Sequence, residues 1–343
     1  MSVALSTSVP ATMRAAVLTA TRTIALEERT VPVPGPGEVL VRVTAVGVCG
    51  SDVHYYEHGR IDDFVVTEPL VLGHEAGGQI VAVGSNVDPD RVGTRVSIEP
   101  QRPDPSSSWV LEGHYNLDPS IAFYATPPID GAFAEYVTIQ SQFAYAVPDS
   151  VSDEAAALFE PLSVGIAAAR KARLTAGETV LIAGAGPIGL VTAQVARAYG
   201  ATHVLVSEPD PIRRERALKF GATQVLAPDD DLAGTRIDVF VDASGVPAAI
   251  SAGLNALRPG GRAVLVGMGT SVAPAPLSVI RNRELEVTGV FRYANTWPTA
   301  RELVASGAVD LDRMVTARFP LAQATAALET SSRPDSIKVI VRP

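Results

Sequence analysis

Residues 179–189 read T-V-L-I-A-G-A-G-P-I-G, and an alanine-rich helical pattern follows over residues 188–199. An apolar strand that runs into glycines 184, 186 and 189 and then into a helix commits this stretch to a β-turn-α unit. Gly184 permits the tight turn, Gly186 lets the backbone approach a pyrophosphate, and Gly189 lets helix and strand pack closely. The N–H groups at the helix start, with the helix dipole, favour phosphate there. Gly184, Gly186, Pro187, Ile188 and Gly189 are thus the candidate dinucleotide cradle. Glu208 follows the last glycine by 19 residues (208 − 189), just past a second strand pattern at 203–207. A carboxylate there accepts hydrogen bonds from ribose hydroxyls and repels a 2′-phosphate, which predicts NAD. Arg213 and Arg214 leave NADP open, because an arginine can accommodate that phosphate.

Around this unit the chain changes character once. Short Val-, Ile- and Ala-rich runs at 13–19, 38–48, 78–83, 94–98 and 134–139 are broken by Gly and Pro. They predict an all-β, barrel-like first part. From about residue 151, helical patterns at 151–158 and 162–171 give way to alternating signals. Strands are expected at 179–183, 203–207, 224–227, 238–242, 263–266 and 285–290, and helices at 188–199 and 213–220. Such alternation predicts a parallel, doubly wound sheet, an α/β fold. A helix near 297–306 and a final strand at 338–342 complete the reading.

Composition narrows the function. The 343 residues carry 28 Lys plus Arg against 37 Asp plus Glu, a net charge of −9. An acidic chain lacks the basic footprint of a nucleic-acid binder and is repelled by anionic membrane surfaces. The apolar run 180–196 holds three glycines and a proline, so it reads as strand and helix rather than a bilayer span. Residues 1–12 lack the basic start of a secretory signal, and the expected location is the cytoplasm.

Cys49 is the single cysteine, which rules out an internal disulfide and a thiolate cage. It lies in G-V-C-G-S-D-V-H at 47–54, and G-H-E-A-G follows at 73–77. Thiolate, imidazole and carboxylate are the ligand types of a catalytic zinc ion with one open position. On residue types alone, Cys49 as a small buried hydrophobe and His74 as a satisfied polar residue remain open.

The order of motifs decides further. V-C-G-S-D-V-H-Y-Y-E-H-G-R at 48–60, P-L-V-L-G-H-E-A at 69–76 and Y-N-L-D-P-S-I-A-F-Y-A-T-P-P-I-D-G at 115–131 precede the glycine motif. E-P-L-S-V-G-I at 160–166 and G-V-F-R-Y-A-N-T-W-P at 289–298 flank it. The chain resembles the zinc-dependent medium-chain dehydrogenases, and within them the polyol branch of sorbitol- and xylitol-type enzymes, from about residue 13 to the end. The resemblance implies a GroES-like β-rich catalytic domain over 1–158 and 295–343 and a Rossmann coenzyme domain over 159–294. It implies Cys49, His74 and Glu75 as zinc ligands with water fourth, and leaves open whether Glu160 takes the place of Glu75. Ser51 and His54 match positions that pass a proton to the surface, Asp52 a residue orienting the ligand histidine, and His58 a structural residue. Tyr55, Phe123, Arg292 and Tyr293 match the polyol pocket. Read alone, Arg292 could equally form an ion pair, and Tyr55 and Phe123 could be core aromatics.

Many relatives hold a structural zinc with four cysteines. Here Asp104, Ser107, Val110 and Asp118 stand at those positions, so no structural zinc is expected, and Trp109, Tyr115 and prolines should pack the loop. The implied function is oxidation of a polyol to a ketose with hydride transfer to NAD, using one catalytic zinc per chain. The alternatives are the same chemistry on a small diol, or a non-catalytic binding or structural protein on this fold. The implied partners are small polyols or ketoses and further copies of the chain, as a dimer or tetramer joined near the sheet edge at 285–291.

Overall fold

The computed structural model describes residues 9–343 apart from 233, 270 and 271. The chain divides into two compact units. The first comprises the residues up to Asp104 with Ser120–Glu160 and Val315–Pro343, and the second comprises Pro105–Pro119 with Pro161–Met314.

The first unit is β-rich. Glu38–Gly47 is its central strand, paired antiparallel with Glu75–Val83, Tyr136–Gln140 and the C-terminal strand Lys338–Arg342. Val315–Pro320 extends the sheet in parallel beyond Lys338–Arg342, and Arg95–Ile98 and Ala144–Ala146 extend it on the other side. A smaller sheet joins Thr23–Thr30, Thr12–Ala20 and Leu70–Val71. Alternating burial in Tyr136–Gln140 and Val315–Pro320 shows strands with one face inward and one outward.

The second unit is a six-stranded parallel sheet, ordered Gln224–Leu226, His203–Ser207, Thr179–Ala183, Ile237–Asp242, Leu257–Leu265, Glu286–Gly289. The sheet starts at its middle strand and reverses direction there, which defines the doubly wound coenzyme fold and puts a crevice at the strand ends. Thr179–Ala183 and Ile237–Asp242 are buried almost throughout, as strands covered on both faces must be. Helices Pro187–Ala198, Pro211–Ala217 and Pro247–Ala256 follow the strands Thr179–Ala183, His203–Ser207 and Ile237–Asp242. Gly200 and Gly221, at φ 91° and 94°, lie beyond the first two helices in the left-handed conformation.

The strand expectations at 179–183 and 203–207 coincide with the observed elements. Thr23–Thr30 was not anticipated, because its charged residues sit on an exposed strand and mask the alternation. The helices Pro247–Ala256 and Ala324–Ser331 escaped because their Ala- and Ser-rich pattern has little amphipathic contrast.

The expected division at 158/159 and 294/295 differs from the observed units in three places, the smallest being 159–160, which belong to the β-rich unit. Residues 105–119 and 295–314 cluster with the parallel sheet. The reason is specific bonding. Asn295 N–H donates to the Tyr115 hydroxyl at 2.7 Å, and Asn116 donates to the Phe291 carbonyl at 2.8 Å. Buried Gln194 accepts from Asp310 N–H at 2.8 Å. Trp109, expected to pack the loop, is 41% exposed, while Tyr115 is the buried anchor. Among the described residues, no helix is long and apolar enough to cross a membrane.

Candidate active site

Cys49 stands at the N-cap of helix Gly50–His58, in extended backbone directly after the central strand. Glu75 opens the neighbouring strand and sits opposite Gly47, so pairing of the two strands brings the motifs together. The candidate ligand atoms of Cys49, His74 and Glu75 all lie within 4.8 Å of one another. His74 and Glu75 are buried. Gly47 is required by this packing: a Cβ there would come within 2.0 Å of the Glu75 carboxylate.

Asp52, fully buried, ties the two motifs through the backbone. One oxygen accepts from Cys49 N–H at 2.9 Å and the other from Gly73 N–H at 2.8 Å. Its distance to His74 Nδ1 is 3.8 Å, too long for a hydrogen bond. Asp52 therefore meets the histidine ring as an ion pair, and its hydrogen bonds go to the backbone on either side, at Cys49 and at Gly73 just before His74. Burial, and to a lesser degree Glu75, push the Asp52 carboxyl above its ordinary value, against the pull of His74 and the two N–H groups. Burial opposes a charge on His74, but Cys49 above all, with Asp52 and Glu160, raises it to about 10. A cation bound by the imidazole takes the place of that proton.

Two further carriers of charge complete the corner. Glu160, buried at the start of helix Phe159–Lys171, acts electrostatically on both His74 and Lys338. Lys338, the first residue of the C-terminal strand, donates to Glu75 Oε1, and to the Val48 carbonyl at 3.2 Å. Burial opposes its charge, but Glu75, then Cys49 and Glu160, hold its pKa above the ordinary value. Sequence reading missed Lys338, although a lysine opening an otherwise apolar terminal strand was the available signal. Glu75 Oε2 is buried without a hydrogen-bond partner, and such an atom fits a metal-ligand role.

The remaining predicted residues divide between the units. Phe123 is buried with its ring 5.5 Å from that of His74. Tyr55 is buried on helix Gly50–His58, Ser51 is half-buried and His54 is exposed, 5.6 Å ring to ring from His58. Arg292 and Tyr293 belong to the second unit. Arg292, in the left-handed region at φ 56°, lies over the Phe291 ring, and buried Tyr293 packs against Trp297.

Within the second unit a cleft of about 570 Å³ is lined by Gly184, Gly186, Glu208, Arg213, Asp229 and Ser244, among others. Gly184 takes φ 99°, as a tight turn demands. A Cβ on Gly189 would strike the Gly184 carbonyl at 1.9 Å, so strand and helix touch there. A Cβ on Gly186 would meet nothing within 4 Å, which leaves at the helix start the room a phosphate needs. Pro187 and Ile188 form the first turn of the helix. Glu208 is buried, and its oxygens accept from Ala185 N–H at 2.8 Å and Asp210 N–H at 3.1 Å. The carboxylate thus braces the glycine turn, and each oxygen keeps a second lone pair for a hydroxyl.

A chain that holds both a parallel-sheet coenzyme unit and a β-rich unit with a Cys-His-Glu corner defines a class. Residues 35–149 match the alcohol dehydrogenase GroES-like domain and residues 187–306 the zinc-binding dehydrogenase domain. The sorbitol dehydrogenase of Bacillus subtilis (strain 168) is 43% identical over 349 residues, covering 98% of this chain and 99% of that one. The chain belongs to the zinc-dependent medium-chain dehydrogenases, in their polyol branch. Among solved structures, a protein of Escherichia coli CFT073 described as a short chain alcohol dehydrogenase, complexed with NADH, superposes with TM-score 0.91 at 26% identity. It covers 97% of this chain and all of its own. A protein of Sinorhizobium meliloti 1021 described as a zinc-binding dehydrogenase, bound to NADP, gives TM-score 0.90 at 30% identity, with 97% and 100% coverage. The fold is that of enzymes using a nicotinamide dinucleotide and zinc.

Proposed function

We propose that this enzyme oxidises a secondary hydroxyl of a polyol, of the sorbitol or xylitol type, to a ketose, with hydride transfer to NAD⁺. The observation that carries this reading is the corner of half-buried Cys49 with buried His74 and Glu75, whose donor set suits one catalytic zinc with an open position. Zinc bound there supplies Lewis acidity, which brings the pKa of a hydroxyl to near neutral.

The chain's own residues supply the rest. Asp52 and Lys338 hold the ligand-bearing segments in register. Half-buried Ser51 and exposed His54 carry the released proton outward, while Glu160 holds water beside the metal ligands. Phe123 packs on His74 and, with Tyr55, forms an apolar wall. Arg292 and Tyr293 read hydroxyls beyond the reacting carbon, since a guanidinium offers five fixed donors and a phenol both donates and accepts. Glu208 receives the adenosine ribose and selects NAD over NADP, with Arg213 at the mouth of the cleft. Residues 104–118 hold no structural zinc, since Val110 carries no ligand atom. The chain associates through the outer strand Glu286–Gly289, which pairs on one side with Leu257–Leu265 and ends the sheet order.

The test is metal analysis of purified protein with a panel of alditols, 2,3-butanediol and simple secondary alcohols in the presence of NAD⁺. About one zinc per chain and ketose formation from an alditol are expected. No zinc, or turnover confined to small diols, would overturn the reading.

A further inference from the structure

Lys338 is 2% exposed, and its neighbours are the metal corner. Its strand returns from the far end of the chain to lie against the central strand, with Ile340 opposite Gly47 and Val341 opposite Val46. Val48 N–H donates to the Val339 carbonyl at 2.9 Å, which seats Lys338 beside the turn that carries Cys49. From there Nζ reaches both the Val48 carbonyl, one residue before Cys49, and Glu75 Oε1.

An ion pair buried for stability alone is a weak device, because a well-packed apolar pair serves as well and escapes the desolvation penalty. The arrangement around Glu75 is more particular. One oxygen is held by Lys338, and the other is buried without a hydrogen-bond partner. The carboxylate lies against Gly47, where an added Cβ would meet Oε2 at 2.0 Å, so the glycine leaves it the space it occupies and Lys338 is the group that bonds it. Asp52 joins the backbones of Cys49 and Gly73, and Lys338 joins Val48 to the Glu75 side chain. An anion and a cation, distant in sequence, each clamp the same two segments.

We propose that Lys338 is a positioning residue of the metal centre: by holding Glu75 Oε1 and the Val48 carbonyl together, it leaves Glu75 Oε2 as the single carboxylate oxygen offered to the metal. This rests on the zinc reading above. Partners that orient a metal ligand typically matter by 10–100-fold in metal affinity.

The experiment compares wild type, Lys338→Met and Lys338→Arg by the rate of zinc release to a chelator and by the visible spectrum of the cobalt-substituted protein. Lys338→Met should release zinc about 10–100-fold faster and change the cobalt bands, as a carboxylate free to rotate alters the ligand field. Lys338→Arg keeps the charge but not the shape, and should change both in the same direction by less. In a Glu75→Ala background, Lys338→Met should add nothing further. A folded Lys338→Met protein with lowered thermal stability but wild-type zinc release and cobalt bands overturns the proposal and leaves a purely structural ion pair. If that variant does not fold, Lys338→Arg decides by the same criterion. Zinc-free wild-type protein would overturn the underlying reading instead, so the two failures are distinguishable.

Discussion

The cleft of the parallel sheet and the metal corner of the β-rich unit meet different physical demands. The cleft takes its strand, turn and helix from residues 179–189 and adds Glu208 as a brace. Its key properties belong to backbone: left-handed Gly184, contact at Gly189 and room at Gly186. The metal corner gathers side chains from positions 49, 52, 74, 75, 160 and 338, and buries charges of both signs. A phosphate site needs N–H groups and space, which contiguous chain provides. A metal site needs ligand atoms converging from several directions, and only long-range pairing provides that.

If the two sites are built independently, damage to one should leave the other intact. The largest effect is expected for Cys49→Ser: loss of most zinc and at least ~10²-fold in turnover, a floor set by the effect of disturbing even outer partners. NADH affinity, followed by fluorescence titration, should stay at its wild-type value. Full zinc and full turnover in that variant would remove the metal assignment.

Asp52→Ala comes next. It strands the N–H groups of Cys49 and Gly73 in the interior, each worth about 1–3 kcal/mol, and should weaken zinc binding about 10–100-fold. Thermal unfolding and zinc titration would check it. A variant that loses stability but keeps zinc affinity would show that the bridge serves only the fold. The converse damage is Gly189→Ala, whose methyl has no room against the Gly184 carbonyl. A destabilisation of about 1–3 kcal/mol is expected, with NADH binding about tenfold weaker and zinc content unchanged.

Glu208→Ala sharpens the cleft side. Initial rates with NAD⁺ and NADP⁺ at equal concentration should differ strongly in wild type, and the ratio should fall about tenfold in the variant. Equal rates in wild type would reject the selective role.

The smallest effect concerns Glu154, which ties helix Asp153–Ala157 to both C-terminal strands through Arg318 and Arg342. Burial raises its pKa, but the two guanidiniums outweigh that and hold the carboxyl below its ordinary 4.5. A depressed carboxylate stabilises the fold above its unfolded pKa, and that contribution is lost as pH falls through the lower folded value. The gap in melting temperature between wild type and Glu154→Gln should be steady at neutral pH and shrink below about pH 4.5. Both arginines are half exposed, so solvent keeps the gap small.

Much of the site was legible because its motifs are short. The C-G-S-D and G-H-E stretches carry Cys49, His74 and Glu75, and resemblance joined them. Lys338 was not legible, since the residues between it and Glu75 record nothing of the strand pairing that brings them together. Asp52 was found and does pair with the His74 ring, at 3.8 Å, but its hydrogen bonds to the backbones of Cys49 and Gly73 were not legible, since they depend on how the two segments meet. The place of 105–119 and 295–314 in the fold was also hidden, because it depends on single bonds such as that between Asn295 and Tyr115.

By itself the sequence determined the β-turn-α unit, the alternation that makes a parallel sheet and the net acidic charge, and its resemblance to a family named the three metal-ligand candidates. The first two follow from local steric freedom and from periodicity. The tertiary structure decided which charges meet. It set Lys338 on Glu75, Asp52 between two backbones, Glu160 near His74, and Glu208 against the glycine turn. Buried charges are tolerated only in company, and that company is chosen by strand register across hundreds of residues.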